Sequence, residues 1–319
     1  MSKAVFLDLG STSRDDLDLT RLQQACGQLQ LWDTTTPTER VAHIDDAEII
    51  ISNKVVLDAP LLQALAGQIK LICVAATGTN NVDLTTAQAL GIPVTNIRDY
   101  ASQSVAEHTL ALIFALRRQL VAYHQAVHNG AWQHSPHFCL LDYPIHPLAG
   151  STIAIIGYGT LGKATAQLAS AVGMKVVIAE QPGQTLRTGR VPFEDALAMA
   201  DIVSLHCPLT EQTRHLINAQ RLSLMKPTAL LINTARGGIV DEYALLRALQ
   251  TGQLGGAGID VLAQEPPQED SPLLQVSLPH LIVTPHIAWA SHPARQALID
   301  QLTDIIGHWH KGEWQNRVV

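Results

Sequence analysis

The chain has 319 residues, more than one hydrophobic core usually organises, so its length predicts two domains. Hydrophobic residues make up 47% and charged residues 15%, a composition that excludes long disordered tracts. A net charge of −7 lacks the basic excess of a nucleic-acid surface, and no apolar run approaches the ~18 residues a membrane helix needs.

Apolar runs alternate with helical patterns along almost the whole chain. The first ten residues hold an apolar run too short for a signal peptide and lead into a strand at 4–9. Further strands are predicted at 48–52, 71–75 and 93–96, with helices at 59–65 and 85–90 between them. One long helix is expected over 105–125, with Arg117-Arg118 on a solvated face. A polar, aromatic stretch at 129–147 follows it. A second strand series falls at 152–156, 175–179, 202–206, 229–233, 256–260 and 281–284, with helices such as 161–172 and 242–250. These runs are continuously apolar rather than alternating, as parallel strands covered on both faces require. The βαβα order implies a doubly wound α/β fold. A last helix at 293–310 has no strand to serve and is expected to pack back on the first domain. Cys26, Cys73, Cys139 and Cys207 lie far apart with no C-x-x-C pair, which points to reduced thiols in a cytoplasmic protein rather than to disulfides or a metal site.

Gly157-Tyr-Gly159-Thr-Leu-Gly162 closes the strand at 152–156 and opens a helix, the context a dinucleotide-binding turn needs. Gly157 permits the tight turn, Gly159 lets the backbone approach a pyrophosphate, and Gly162 lets helix and strand pack closely. Glu180 ends the next strand, 18 residues beyond Gly162, where a carboxylate accepts ribose hydroxyls and opposes a 2′-phosphate. Arg187 and Arg190 follow it and could hold such a phosphate, but Glu180 would oppose them, so NAD is expected over NADP.

Three later strand ends carry a charged or titratable residue beside Gly or Pro: Arg236 in Asn233-Thr-Ala-Arg-Gly-Gly, Glu265 before Pro266-Pro267, and His286 in Thr284-Pro-His-Ile-Ala-Trp289. Ligands of open α/β sheets bind at such ends. Arg236 can grip a carboxylate through its planar fork, and His286 can deliver a proton near neutral pH. Glu265 can hydrogen-bond the other imidazole nitrogen and favour the protonated ring.

With these motifs stand Leu205-His-Cys-Pro-Leu-Thr210, Met225-Lys-Pro-Thr228, Gly258-Ile-Asp-Val261 and the Arg236-Gly-Gly run. Together they resemble the D-isomer-specific 2-hydroxyacid dehydrogenases over essentially the full chain, and most of all the glycerate (hydroxypyruvate) dehydrogenases. The resemblance implies two doubly wound parallel-sheet domains. A discontinuous flavodoxin-like substrate-binding domain would take 1–100 and 287–319, and a Rossmann NAD-binding domain 101–286. It implies that Arg236 binds and orients substrate, that His286 is the acid/base and that Glu265 pairs with it. Thr160, Leu161, Glu180, Cys207, Thr234, Ala235 and Asp260 would line the cofactor with the three glycines. Backbone N–H groups of Ala76, Thr77 and Gly78 would meet the substrate carboxylate, and Lys54 would approach the pocket mouth. The implied reaction is NAD-dependent interconversion of a small 2-keto acid (hydroxypyruvate or glyoxylate) and its D-2-hydroxy acid, without a metal. D-lactate dehydrogenase acting on pyruvate is the alternative, and an NAD-binding co-repressor-like scaffold a more remote one. Trp289 would narrow the pocket or pack at the domain hinge. Trp132, Phe138 and Tyr143 in 129–147 suggest an arm that embraces a second subunit, hence a homodimer, with no membrane or nucleic-acid partner.

Overall fold

The computed structural model describes residues 2–319 and places them in two compact units, 2–101 with Ala290–Val319, and Ser102–Trp289. The first runs through β1 (Lys3–Phe6), α1 (Thr20–Cys26), β2 (Gln28–Leu31), α2 (Arg40–Ile44), β3 (Ile49–Ser52), α3 (Ala59–Ala64), β4 (Leu71–Val74), α4 (Leu84–Ala89) and β5 (Val94–Asn96). Its strands are parallel in the order β2-β1-β3-β4-β5, the flavodoxin-like winding that reverses between β1 and β3. Both β3 and β4 are buried along their whole length, so Val5, Ile50, Ile72 and Val94 sit in one core under the helices. Asp58 and Asp83 start α3 and α4 by accepting from the backbone N–H of Leu61 and Thr86, at 3.1 and 2.8 Å.

The second unit holds α5 (Ser102–Arg117), α6 (Leu120–His128), β6 (Thr152–Ile156), α7 (Thr160–Ala171), β7 (Lys175–Ile178), α8 (Phe193–Met199), β8 (Ile202–Leu205), α9 (Ala219–Leu222), β9 (Leu230–Asn233), α10 (Glu242–Gln250), β10 (Gly256–Ile259) and β11 (Leu281–Val283). The parallel order is β11-β10-β9-β8-β6-β7. Beyond β7 the sheet continues by one parallel bridge, Ala179 to Val191. That bridge stands where the Rossmann winding has its third strand, reduced here to a single pair. The winding reverses between β6 and β8, which opens a crevice at their C-terminal ends.

The chain then returns to the first unit as α11 (His292–His310), which packs on α1. Residues 316–319 line the edge of β5, where Val318 N–H donates to the Val94 carbonyl at 2.7 Å and Asn96 N–H to that of Asn316 at 3.2 Å.

Three expectations are corrected. The helix expected over 105–125 is two helices, because Gln119 turns left-handed at φ 53° and the Arg117 carbonyl is taken by the His146 N–H at 3.0 Å. Arg117 is buried rather than solvated, and burial pulls its guanidinium pKa down, whereas Arg118 is exposed. The stretch before β3, read without elements, contains α1, β2 and α2; β2 is a short edge strand with two glutamines, too polar to stand out as an apolar run. The four cysteines are free, and among the described residues no helix is long and apolar enough to cross a membrane.

Candidate active site

At the end of β6 the glycines have distinct physical duties. Gly157 adopts φ +93°, and a Cβ there would lie 2.7 Å from the His206 carbonyl carbon and the Cys207 nitrogen. Only glycine lets this turn lie flush against the loop after β8. A Cβ on Gly162 would lie 2.1 Å from the Gly157 carbonyl oxygen, so α7 presses directly on the turn. Gly159 differs: a Cβ there would have no neighbour within 4 Å, and no side chain caps α7, which begins with Thr160 and Leu161. Two glycines close the packing and the third leaves open space before uncapped N–H groups, a cradle that fits a pyrophosphate. Beside Gly157, burial pushes the Cys207 thiol up to about 11, which keeps it neutral. His206 beside it is pushed down to about 4 by burial and accepts or shares a proton with Ser204 Oγ at 2.8 Å through Nε2.

Glu180, 3% exposed, is not a lone carboxylate. Arg187 grips it through Nε at 2.8 Å and Nη2 at 2.5 Å, Gln181 N–H donates at 2.9 Å, and Arg190 stands 3.5 Å away. The Arg187 hydrogen bonds hold its carboxyl pKa down at about 2. The turn folds both arginines onto Glu180, so the carboxylate engages them at close range, as their charges led one to expect.

The C-terminal ends of β9, β10 and β11 bring the titratable residues together. Asn233 closes β9 and donates through Nδ2 to the Arg236 carbonyl at 2.9 Å, while its Oδ1 accepts from the Ala235 N–H at 3.1 Å. A Cβ on Gly237 would fall 1.9 Å from the Leu262 carbonyl carbon, so the Arg236 loop and the loop after β10 touch backbone to backbone. That second loop carries Glu265, whose Oε1 accepts from the Leu262 N–H at 2.9 Å and whose Oε2 meets His286 Nδ1 at 2.7 Å. Glu242, at the start of α10, accepts from the Ala263 N–H at 2.7 Å; burial raises its pKa.

Asp260, 1% exposed, organises the histidine's backbone. Its carbonyl accepts from the His286 N–H at 2.8 Å, Oδ1 accepts from Ile287 N–H at 3.0 Å and Thr284 Oγ1 at 2.6 Å, and Oδ2 from Ala288 N–H at 2.9 Å. His286 is held at φ 54°, a conformation that a non-glycine residue adopts only when its surroundings impose it. Trp289 Nε1 donates to the His286 carbonyl at 3.0 Å.

Sequence reading missed the contribution of α5. Ser104 donates to the Ala288 carbonyl at 2.7 Å, His108 Nε2 meets Thr284 Oγ1 at 3.0 Å, and Thr109 Oγ1 meets Thr234 Oγ1 at 3.0 Å. The four-residue spacing of Ser104 and His108, which puts both on one helix face, was the signal available.

Ala76, Thr77 and Gly78 follow β4 in the other unit. Their turn is pinned by Ile97 N–H on the Ala76 carbonyl at 3.0 Å and Asn96 Nδ2 on the Thr77 carbonyl at 2.7 Å. In the same unit the buried Asp8 accepts from the N–H groups of Asn53 and Lys54, at 2.8 and 2.6 Å, and burial raises its pKa.

Residues 110–288 match the model of the D-isomer-specific 2-hydroxyacid dehydrogenase NAD-binding domain. Over 318 residues the chain is 49% identical to a glycerate dehydrogenase of Methylorubrum extorquens, covering 99% of this chain and 98% of that one. It is 35% identical to a hydroxypyruvate reductase of Blautia hydrogenotrophica, covering 99% of both. A D-lactate dehydrogenase of Aquifex aeolicus, solved with NAD and lactic acid, superposes with a TM-score of 0.81 at 29% identity, covering 98% of this chain and 96% of that one. The matched domain and the full-length likeness to these relatives lead to one conclusion: the chain belongs to the D-isomer-specific 2-hydroxyacid dehydrogenase family and is an NAD-dependent enzyme.

Proposed function

We propose that the enzyme interconverts hydroxypyruvate or glyoxylate and the corresponding D-2-hydroxy acid, with Arg236, His286 and Glu265 performing the chemistry. The His286 Nδ1 to Glu265 Oε2 contact of 2.7 Å carries the reading. An ionised carboxylate only accepts, so Nδ1 holds a hydrogen and Nε2 is left as the nitrogen that gains and loses the working proton. Arg236 binds the substrate carboxylate and polarises the adjacent ketone. NADH, when bound, supplies a hydride to the carbonyl carbon. As the C=O π bond opens, His286 Nε2–H protonates the carbonyl oxygen and the neutral ring remains, hydrogen-bonded to Glu265. Oxidation of the hydroxy acid runs the same proton backwards.

The cofactor is assigned to Gly157, Gly159, Thr160, Leu161, Gly162, Cys207, Thr234 and Ala235, with Glu180 on the ribose hydroxyls. Asp260 Oδ2 accepts one protein hydrogen bond, at 2.9 Å, which leaves it acceptor capacity for a carboxamide N–H. The N–H groups of Ala76, Thr77 and Gly78 are assigned to the substrate carboxylate, in a substrate domain formed by the first unit. We further infer a homodimer in the cytoplasm, where four unpaired cysteines stay reduced.

The names of the relatives in Methylorubrum and Blautia support the choice of substrate. NADH oxidation measured side by side with hydroxypyruvate, glyoxylate and pyruvate tests it. We expect one of the first two to exceed pyruvate in kcat/KM by about 10-fold or more, roughly 1.4 kcal/mol. A preference for pyruvate would make the enzyme a D-lactate dehydrogenase, and no turnover with any of the three would remove the assignment.

A further inference from the structure

His108 lies on α5, outside the glycine turn and outside all three strand ends, yet its imidazole reaches the segment that carries His286. Its Nε2 stands 3.0 Å from Thr284 Oγ1 and 3.5 Å from Asp260 Oδ1. The direction of the hydrogen bonds follows from counting protons. Asp260 accepts two backbone N–H groups, one on each oxygen, and acts there as an acceptor. Thr284 Oγ1, 2.6 Å from Asp260 Oδ1, spends its single proton on that carboxylate. It has only lone pairs left to offer His108. Nε2 of His108 must therefore carry a hydrogen, and the chain runs one way: His108 Nε2–H to Thr284 Oγ1–H to Asp260 Oδ1.

The carboxylate at the end of this chain clamps the N–H groups of Ile287 and Ala288, and the Asp260 carbonyl holds that of His286. Those three contacts enforce the left-handed backbone of His286, at φ 54°. One helical turn earlier on the same face, Ser104 Oγ donates to the Ala288 carbonyl at 2.7 Å. Hydrogen bonds in series polarise one another, so the outermost donor strengthens the innermost clamp.

We propose that His108 is a positioning residue for His286, acting through Thr284 and Asp260 as the terminal donor of a hydrogen-bond chain that fixes the left-handed backbone of the proton-transfer histidine. The inference rests on the assignment of His286 as acid/base, but its tests separate the two.

His108→Gln keeps a side-chain N–H donor, whereas His108→Leu keeps bulk and loses the donor. In keto-acid reduction the Leu variant should lose about 10-fold in kcat, a loss in keeping with slight misplacement of a reacting group. The Gln variant should stay within about 3-fold of wild type, and KM for the keto acid should change by less than about 2-fold in both. Melting temperatures of both variants are measured alongside; if the Leu variant fails to fold, His108→Asn, whose shorter amide falls short of Thr284, takes its place.

A double-mutant cycle with Thr284→Val supplies the second readout. If His108 works through Thr284, the double variant should be no slower than Thr284→Val alone; independent roles would multiply the two losses. Independently of turnover, the His286 ring Cε1–H resonance should stay sharp in His108→Gln and broaden in His108→Leu. Gln and Leu variants with equal kcat and equal His286 line widths, or losses that multiply in the cycle, would overturn the proposal and leave the assignment of His286 intact. A wild type that reduces no keto acid would remove that assignment, while the line widths would still decide the role of His108.

Discussion

In the proposed mechanism His286 gives up a proton in one direction and takes it back in the other, and it needs a partner that stabilises charge without competing for the proton. Glu265 meets that need by geometry: one oxygen is occupied by the Leu262 N–H and the other faces His286 Nδ1 at 2.7 Å. Glu265→Gln keeps a hydrogen-bonding group and removes the charge. Reduction needs a proton delivered by His286, and the carboxylate stabilises the positive ring that delivers it, so the variant should lose about 10-fold in kcat for the keto acid while NADH affinity measured by fluorescence stays within about 2-fold. A variant with wild-type kcat would mean that the charge of Glu265 does not support proton transfer by His286. At the same scale Glu180 shows where sequence reading stops. Its position after β7 was plain from the glycine spacing. That it would meet Arg187 followed from their charges, but the two-donor grip did not, because the seven-residue turn decides which donors reach which oxygen.

Elements carried most of what the sequence could say about the fold. Strands β3, β4, β8 and β9 are four-residue apolar runs buried at every position or nearly so, and such runs announce a parallel sheet. The edge strand β2 and the break at Gln119 escaped, since neither changes local hydrophobicity enough to mark it. His108 escaped for another reason: a polar residue on a mostly buried helix looks the same whether it faces solvent or a strand end. Element contacts also predict the effect of one methyl group. Gly237→Ala would drive the Arg236 loop away from Leu262, where the added Cβ has 1.9 Å of room. Overpacking of this kind costs about 1–3 kcal/mol of stability, and the displaced Arg236 should lose on the order of 100-fold in kcat/KM. NADH affinity, measured by fluorescence, should fall far less, because the turn at Gly157 is untouched. Equal losses in both would show that the 236–238 loop serves the cofactor rather than the keto acid.

For the whole molecule, residues 129–147 carry the open question of assembly. Phe138 is 91% exposed and Leu141 82%, on a segment where Trp132 is also half exposed. Apolar side chains gathered on one such segment call for cover from another surface. We expect a two-fold dimer in sedimentation at micromolar concentration, and a shift to monomer in Phe138→Asp/Leu141→Asp with the far-UV spectrum unchanged. A wild-type monomer at that concentration would dismiss the arm as an interface.

The discontinuity of the first unit has a temporal side. Helix α11 lies against α1, and residues 316–319 cover the open edge of β5. On the ribosome, every residue of Ser102–Trp289 emerges before these do. The second unit can therefore complete its sheet while the first still lacks a helix and a guard for its edge strand. Of the two, the unit begun first is the one finished last. In the interval β5 presents unpaired backbone groups of the kind that recruit stray strands. Residues 316–319 thus serve as the latch of the first unit's sheet, and a nascent chain stalled between 290 and 315 would leave that edge open to other strands.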